Sequence, residues 1–438
     1  MGKYVVTDYT KKYKAIMQFG KNKAEYIHRW YPFVEGYSKE FIYSILQEYE
    51  ANNAKKPQCC LEPFSGSGTT ALELQKQKIK CYAFEVSPFM YNLSRVKLNT
   101  KYTVQSFSKY YEKVKVYIHN CCKQYDKNEI YKNFNTMVRK KGRKKWIYND
   151  AVLFGVEDIK CAISKVEDSK YQNLFQIALS SILLEVSNVY RNGKCISYKK
   201  EWKTTVNYTR EEVHDKFLEQ LSVIFLDDIK KLNRYKSHES LYSNYMFCYA
   251  GDCRQLIDNK VDDDSIDLII TSPPYLNSRD YTDSYMVELR TLEYLKDHKQ
   301  VRDLRSKTLR SHVQVKWEDV NILNIEELDK AIYEIKKHEK EFWNASLLNM
   351  IKGYFEDMDI LFSKLYPKLT KGGYIYFNIA NSAYYNVEIK VDEILCEIAE
   401  NIGFDIIEIR EARKVKPSSQ QHENITGLRE SVIVMKKN

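Results

Sequence analysis

The sequence predicts an α/β fold, a seven-stranded sheet covered by helices on both faces. Short apolar runs alternate with stretches of helical spacing, a glycine-rich turn joins the first such pair, and a later apolar run ends on a proline pair. Residues 58–61 read as the first strand and 69–78 as the first helix, joined through Leu61-Glu62-Pro63-Phe64-Ser65-Gly66-Ser67-Gly68-Thr69-Thr70. Residues 80–84 form a second strand running into Glu85, and 88–99 a second helix with Pro88 in its first turn. The alternation resumes with strands at 245–250, 266–271, 374–379 after Gly372-Gly373, 404–410 and 431–436. Helices at 354–369 and 391–402 fill two of the gaps.

Between residues 105 and 243 the strand signal stops. That stretch carries the basic run Arg139-Lys140-Lys141-Gly142-Arg143-Lys144-Lys145-Trp146 and a long helical pattern over 171–189. The expected organisation is a discontinuous core of residues 1–105 and 244–438, an inserted, mainly helical domain at 106–243, and a smaller charged helical insertion at 286–350. At roughly 100–200 residues per domain, 438 residues suit such a division.

Composition narrows the function. There are 69 Lys and Arg against 59 Asp and Glu, a formal charge of +10, which excludes an acidic solvating protein and favours a polyanionic partner. The 44% apolar share is enough for a real core. No apolar run reaches the roughly 20 residues that cross a bilayer, and the first 19 residues alternate Lys with Tyr instead of forming a leader. A cytoplasmic protein with no membrane partner is expected. The ten cysteines form no C-x-x-C and no Cys/His group at zinc spacing, so free thiols and no metal are expected. With only 14 Gly and 8 Pro in the chain, each cluster of them needs a backbone reason.

The glycine turn lets backbone approach a ligand at the carboxyl end of a strand. Gly66, Gly68 and Ala71 satisfy G-x-G-x-x-A, and Glu85 follows at the distance where a carboxylate accepts from ribose hydroxyls. Taken alone, the turn also suits a nicotinamide dehydrogenase or an ordinary tight turn; no Gly-Lys-Ser/Thr follows to make a P-loop.

The proline pair narrows the choice. After the strand that ends at Thr271, Pro273 and Pro274 stiffen the chain and remove N–H donors, so nearby carbonyls are left to accept from a ligand. Ser272 adds a hydroxyl and Tyr275 an aromatic face. Methylation of an exocyclic amine needs these features, because the nitrogen lone pair is delocalised into the ring and acceptors for its N–H groups favour the form that attacks. A plain strand terminator is the bland alternative.

Phe64-x-Gly66-x-Gly68 together with Ser272-Pro273-Pro274-Tyr275 resembles the amino-methylating DNA methyltransferases that use S-adenosylmethionine, in particular the N4-cytosine group with its Ser-Pro-Pro-Tyr motif. The likeness covers residues 26–99 and 245–436, including the looser match His28-Arg29-Trp30-Tyr31-Pro32, and implies a Rossmann-like methyltransferase sheet with helical insertions. It implies further that Glu62, Pro63, Phe64, Gly66, Gly68 and Thr69 wrap the methionine end of the cofactor, with Thr271 at the neighbouring strand end. Glu85 would hold the ribose and Asp252 the adenine amino group. Glu62 stands where an aspartate is more usual. The large insertion also falls at an unusual place, and Ser-Pro-Pro-Tyr occurs in some adenine-specific relatives, so adenine N6 stands beside cytosine N4.

A base inside a duplex must be flipped out to be methylated. Ser272, Pro273, Pro274 and Tyr275 are the expected catalytic set, with the Pro273 carbonyl as acceptor and Tyr275 as stacking platform. Arg279 and Tyr281, in a segment that would close over the base, and Arg139, Lys140, Lys141, Arg143, Lys144 and Lys145 are the expected nucleic-acid contacts, the run also reading as a solvated helix face. Cys253 lacks the Pro-Cys context of a nucleophile for C5 methylation. The expected function is site-specific methylation of cytosine N4 in double-stranded DNA, in a prokaryotic or phage restriction–modification setting with a possible cognate endonuclease. An RNA or tRNA base methyltransferase and a catalytically silent DNA-binding regulator are the alternatives.

Overall fold

The computed structural model describes residues 3–438 apart from 122, 193–194, 206, 239–242, 278–279, 318–319, 322 and 417–423. Its main sheet has eight strands: β1 (Val6–Asp8), β2 (Cys59–Glu62), β3 (Lys80–Glu85), β4 (Cys248–Ala250), β5 (Ile266–Thr271), β6 (Leu369–Ala380), β7 (Phe404–Val415) and β8 (Leu428–Lys437). Their spatial order is β1-β7-β8-β6-β5-β2-β3-β4. All neighbours run parallel except β8, which is antiparallel to both β7 and β6. The α/β class expected from the sequence holds, and the sheet gains one edge strand. Three mostly exposed residues make up β1, too few to show a period.

Strand residues alternate between two cores, as a pleat with both faces covered requires. Cys60, Cys81, Ala83, Leu268, Ile270, Val432 and Val434 face one core; Leu61, Tyr82, Phe84, Ile269, Ile375, Ile433 and Met435 face the other. The first core holds α1 (Lys39–Asn53), α2 (Thr69–Lys76) and α3 (Pro88–Leu98). It continues without a break into α4 (Val104–His119), α5 (Asp150–Ser164), α6 (Ser169–Val186), α7 (Arg210–Glu219) and α8 (Leu226–His238). Trp30, stacked on Phe225 at 4.9 Å, sits at this junction. After β5 come α9 (His298–Arg305) and α10 (Glu326–Lys336); α10, α11 (Leu347–Lys368) and α12 (Val391–Ile402) fill the second core. Among the described residues no helix is long and apolar enough to cross a membrane.

From β2 the chain moves to β3 and β4 on one side, while β5 and β6 lie on the other. The sheet therefore reverses its winding between β2 and β5, where open α/β sheets bind ligands. Both turns singled out in the sequence leave the sheet there, since Cys60 pairs with Leu268 and Leu61 with Ile269.

Candidate active site

A cleft of about 790 Å³ opens above the carboxyl ends of β2, β3, β4 and β5. Pro63, Phe64, Gly66, Glu85, Asp252, Ser272, Pro273, Pro274, Tyr275 and Tyr281 line it. Glu62, Gly68, Thr69 and Thr271 do not; they support the turns from below.

Glu62 is buried at the end of β2 and accepts from Thr271 Oγ1 at 2.5 Å, Tyr37 OH at 2.8 Å, Thr70 Oγ1 at 2.9 Å and the Phe64 N–H at 3.0 Å. It ties the end of β5 to the start of the glycine turn, and burial pushes its carboxyl up to about 7. Gly66 (φ +49°) and Gly68 (φ +78°) occupy the left-handed region that glycine tolerates. A Cβ on Gly68 would meet Ser94 Oγ on α3 at 3.0 Å. Thr69 opens α2 just behind Gly68. The buried Lys97 donates to the Ser67 carbonyl at 3.1 Å and fixes the turn from α3. His28 is also buried, bonded to Glu73 on α2 at 2.7 Å, with its pKa depressed to about 4 by burial; it supports the turn and does not line the cleft.

Glu85 ends β3 and accepts from the N–H groups of Gly66 at 2.7 Å and Ser87 at 2.8 Å. Burial pushes its pKa up to about 7. Asp252 caps a single-turn helix, accepting from the Arg254 N–H at 3.0 Å, and is gripped by the Arg254 guanidinium at 2.7–3.0 Å. Arg254 also pairs with Asp357 on α11, which pairs in turn with Arg310 at 2.8 Å. The Cys253 thiol is buried and raised well above its ordinary value by that burial.

The Ser-Pro-Pro-Tyr turn is held by polar groups from three further strands. Tyr275 OH donates to Glu430 Oε1 on β8 at 3.0 Å and accepts from Asn378 Nδ2 on β6 at 2.7 Å. Asn378 Nδ2 also donates to Ser272 Oγ at 3.2 Å, and Arg413 Nε on β7 holds Glu430 Oε2 at 2.5 Å. The Ser272 hydroxyl points its proton toward Tyr275 OH at 3.4 Å. With that proton directed inward and one lone pair facing Asn378, Ser272 has one lone pair left to accept with. The Pro274 carbonyl accepts from Tyr354 OH at 3.1 Å, whereas among the described residues no donor reaches the Pro273 carbonyl.

Tyr281 sits against the turn, accepting from the Tyr275 N–H at 3.3 Å; Arg279 lies outside the described residues. Arg139, Lys140, Lys141, Arg143, Lys144 and Lys145 form an exposed loop, with Lys140 half-buried, closed where Val138 bridges Tyr148. The run is a loop and not a helix face, because Gly142 takes φ +79° at its tip. None of its residues lines the cleft. The helical segment meets the site instead through Cys195, which lines the cleft, and through Arg191, which pairs with Glu288 at 2.8 Å and covers the ring of the cleft residue Tyr285 at 4.4 Å. Tyr285 stacks on Phe33 at 6.0 Å, and Phe33 to Gly36 supply one cleft wall.

Sequence reasoning missed Asn378, Glu430, Arg413 and the Phe33 wall. Asn378 left a faint trace, a lone amide near the end of an apolar strand. Glu430 and Arg413 left none, as charged residues at strand ends are ordinary.

No protein-family profile matches the chain. It is similar along 97% of its length to type II methyltransferase M.AvaI of Nostoc sp. (strain PCC 7120), and equally to M.AvaI of Anabaena variabilis, at 26% identity over 452 residues and 89% of each relative. Similarity to type II methyltransferase M.BsoBI of Geobacillus stearothermophilus is 25% over 475 residues, again 97% of this chain and 88% of the relative. The glycine turn and the Ser-Pro-Pro-Tyr turn face one cleft at the reversal of the sheet, in a chain that is similar over nearly its whole length to type II methyltransferases.

Proposed function

We propose that the protein transfers a methyl group from S-adenosylmethionine to the exocyclic amine of a base flipped out of duplex DNA, with cytosine N4 the first choice and adenine N6 the second. The observation that carries this reading is the meeting of the two turns across the β2–β5 junction in one cleft. The setting is restriction–modification in a bacterial or phage-infected cytoplasm, with a cognate endonuclease as functional partner, in line with the type II naming of the relatives.

The residues fit the cofactor. A carboxylate offers about four lone-pair sites, so Glu85 keeps acceptors for ribose hydroxyls after binding two backbone N–H groups. Asp252, oriented by three N–H groups of Arg254, offers its one remaining lone pair to the adenine amine, and Gly66 keeps side-chain bulk away from the methionine end. Bound there, S-adenosylmethionine supplies an electrophilic methyl carbon whose bond to sulfur breaks with the electron pair returning to sulfur.

The chain's own groups prepare the amine. Ser272 Oγ and the Pro273 carbonyl accept its two N–H groups, drawing the lone pair out of conjugation. Pro273 and Pro274 keep these acceptors rigid, so little reorganisation accompanies transfer. The amine nitrogen forms the new N–C bond and loses one proton through its hydrogen-bonded acceptor to water. Tyr275, with its hydroxyl tied to Glu430 and Asn378, presents its ring for stacking. Methyl incorporation from labelled S-adenosylmethionine into duplex DNA, single strands and tRNA tests the reading. Incorporation into duplex DNA with N4-methylcytosine in the digest is expected; labelling confined to tRNA would overturn it.

A further inference from the structure

Asn378 is 3% exposed and stands on the wall of the cleft, yet among the described residues no hydrogen bond reaches its Oδ1. Its partners fix the orientation of the amide. Glu430, paired with Arg413, only accepts from Tyr275, so Tyr275 gives its single hydroxyl proton to Glu430. The short contact of 2.7 Å between Asn378 and Tyr275 OH must then run from an N–H of the amide. The second N–H of the same group is directed at Ser272 Oγ. Nδ2 is fully spent on the catalytic turn, and Oδ1 is left as an acceptor without a donor.

An orphaned buried acceptor costs roughly 1–3 kcal/mol, a cost that a ligand N–H removes and a ligand oxygen increases. The amine-accepting end of the cleft thus has three acceptors: the remaining lone pair of Ser272, the Pro273 carbonyl and Asn378 Oδ1. A base with an amino group brings donors to it. A base with an oxo group at the same position brings lone pairs against lone pairs.

We propose that Asn378 is a specificity-determining residue whose Oδ1 shares with Ser272 Oγ one of the target amine's two N–H groups and makes the cleft reject bases that carry oxygen in its place. The inference rests on the amine-methylation reading and extends it from the turn to the neighbouring strand. A site built to hydrogen-bond a donor discriminates strongly against an analogue lacking it, because its own polar atoms are then left unpaired.

The test uses the full chain and a duplex containing the site mapped by sequencing modified bases in an expressing host. Affinities are measured with the demethylated cofactor for two duplexes, one with the native amino base and one with its oxo counterpart, uracil for cytosine or hypoxanthine for adenine. The ratio for each variant is divided by the wild-type ratio, so that the cost of opening either duplex cancels. Asn378→Ala should shrink the preference for the amino base on the order of tenfold and slow methyl transfer, with cofactor affinity within about twofold. Asn378→Asp keeps an oxygen at Oδ1 and loses the donor to Ser272 and Tyr275, so it should slow transfer yet retain the preference. A wild-type ratio in Asn378→Ala, or equal loss in both variants, would overturn the proposal and leave Asn378 as a support for the turn. A wild type that methylates no DNA would sink the amine-methylation reading and this inference together, an outcome distinct from active enzyme with unchanged preference. Cofactor titration certifies each variant as folded, and Asn378→Asp decides the question should Asn378→Ala fail to fold.

Discussion

Tyr275 commits its hydroxyl to Glu430 and receives Asn378, so its ring is held at one angle over the Ser272–Pro274 turn. Tyr275→Phe leaves Glu430 and Asn378 short of a partner without removing the ring, and Ser272→Ala removes an acceptor. Each is expected to lower single-turnover methylation about tenfold to a hundredfold with cofactor affinity nearly unchanged by calorimetric titration; loss of cofactor binding alone would reassign both residues. Glu62 carries a different prediction. Burial lifts its pKa from 4.5 to about 7, so the folded protein keeps a proton that the unfolded chain releases. Its stabilising contribution is complete below about pH 4.5 and is lost as pH rises toward 7. Urea unfolding at pH 5 and pH 8 should show that loss, and Glu62→Gln should reduce it by about 1–3 kcal/mol; an unaltered difference would mean that Glu62 is ionised when folded. Ser272 and Tyr275 are legible in the sequence because proline flanks make a local signal. Asn378, Glu430 and Arg413 are not, since only the strand order brings residues more than 100 positions away onto Ser272.

The glycine turn illustrates the same point for whole elements. Pro88 at the start of α3 and the apolar spacing of α2 are readable, as both act within one helix. The sequence pattern starts β6 after Gly372-Gly373, yet the strand runs from Leu369 through both glycines. There Gly372 takes φ +80° and a Cβ on Gly373 would meet the Thr370 carbonyl at 2.9 Å. Gly-Gly marks an irregularity inside the strand, a use of glycine that looks like a turn until the neighbouring strand is known. At Gly68 the left-handed backbone and the closeness of Ser94 act together, so Gly68→Ala should lower unfolding stability by about 1–3 kcal/mol and weaken cofactor binding. A variant with unchanged thermal midpoint would show that α3 gives way at no cost.

At the scale of the molecule, charge and chemistry are separated. The exposed loop containing Arg139 to Lys145 shares no lining residue with the cleft, so it is suited to hold phosphates while other groups handle the base. Replacing Arg143, Lys144 and Lys145 with Ala should weaken binding to all duplex sequences alike and flatten the slope of log affinity against log salt by about 1 for each phosphate no longer neutralised. Transfer at saturating DNA should hold; a fall in that rate with an unaltered salt slope would remove the loop from the DNA surface. The α/β class is readable because alternating strands and helices have few packings, whereas the location of the basic run relative to the cleft depends on how α4 to α8 join the first core. The position of β8 has one more consequence. Of the eight strands it comes last in chain order, yet it is seated inside the sheet between β7 and β6 and brings Glu430 to Tyr275. A nascent chain that has not reached residue 428 therefore has both signature turns but neither a closed sheet nor a braced tyrosine. A product that stops short of β8 is therefore expected to be inert in methyl transfer, however complete its two turns.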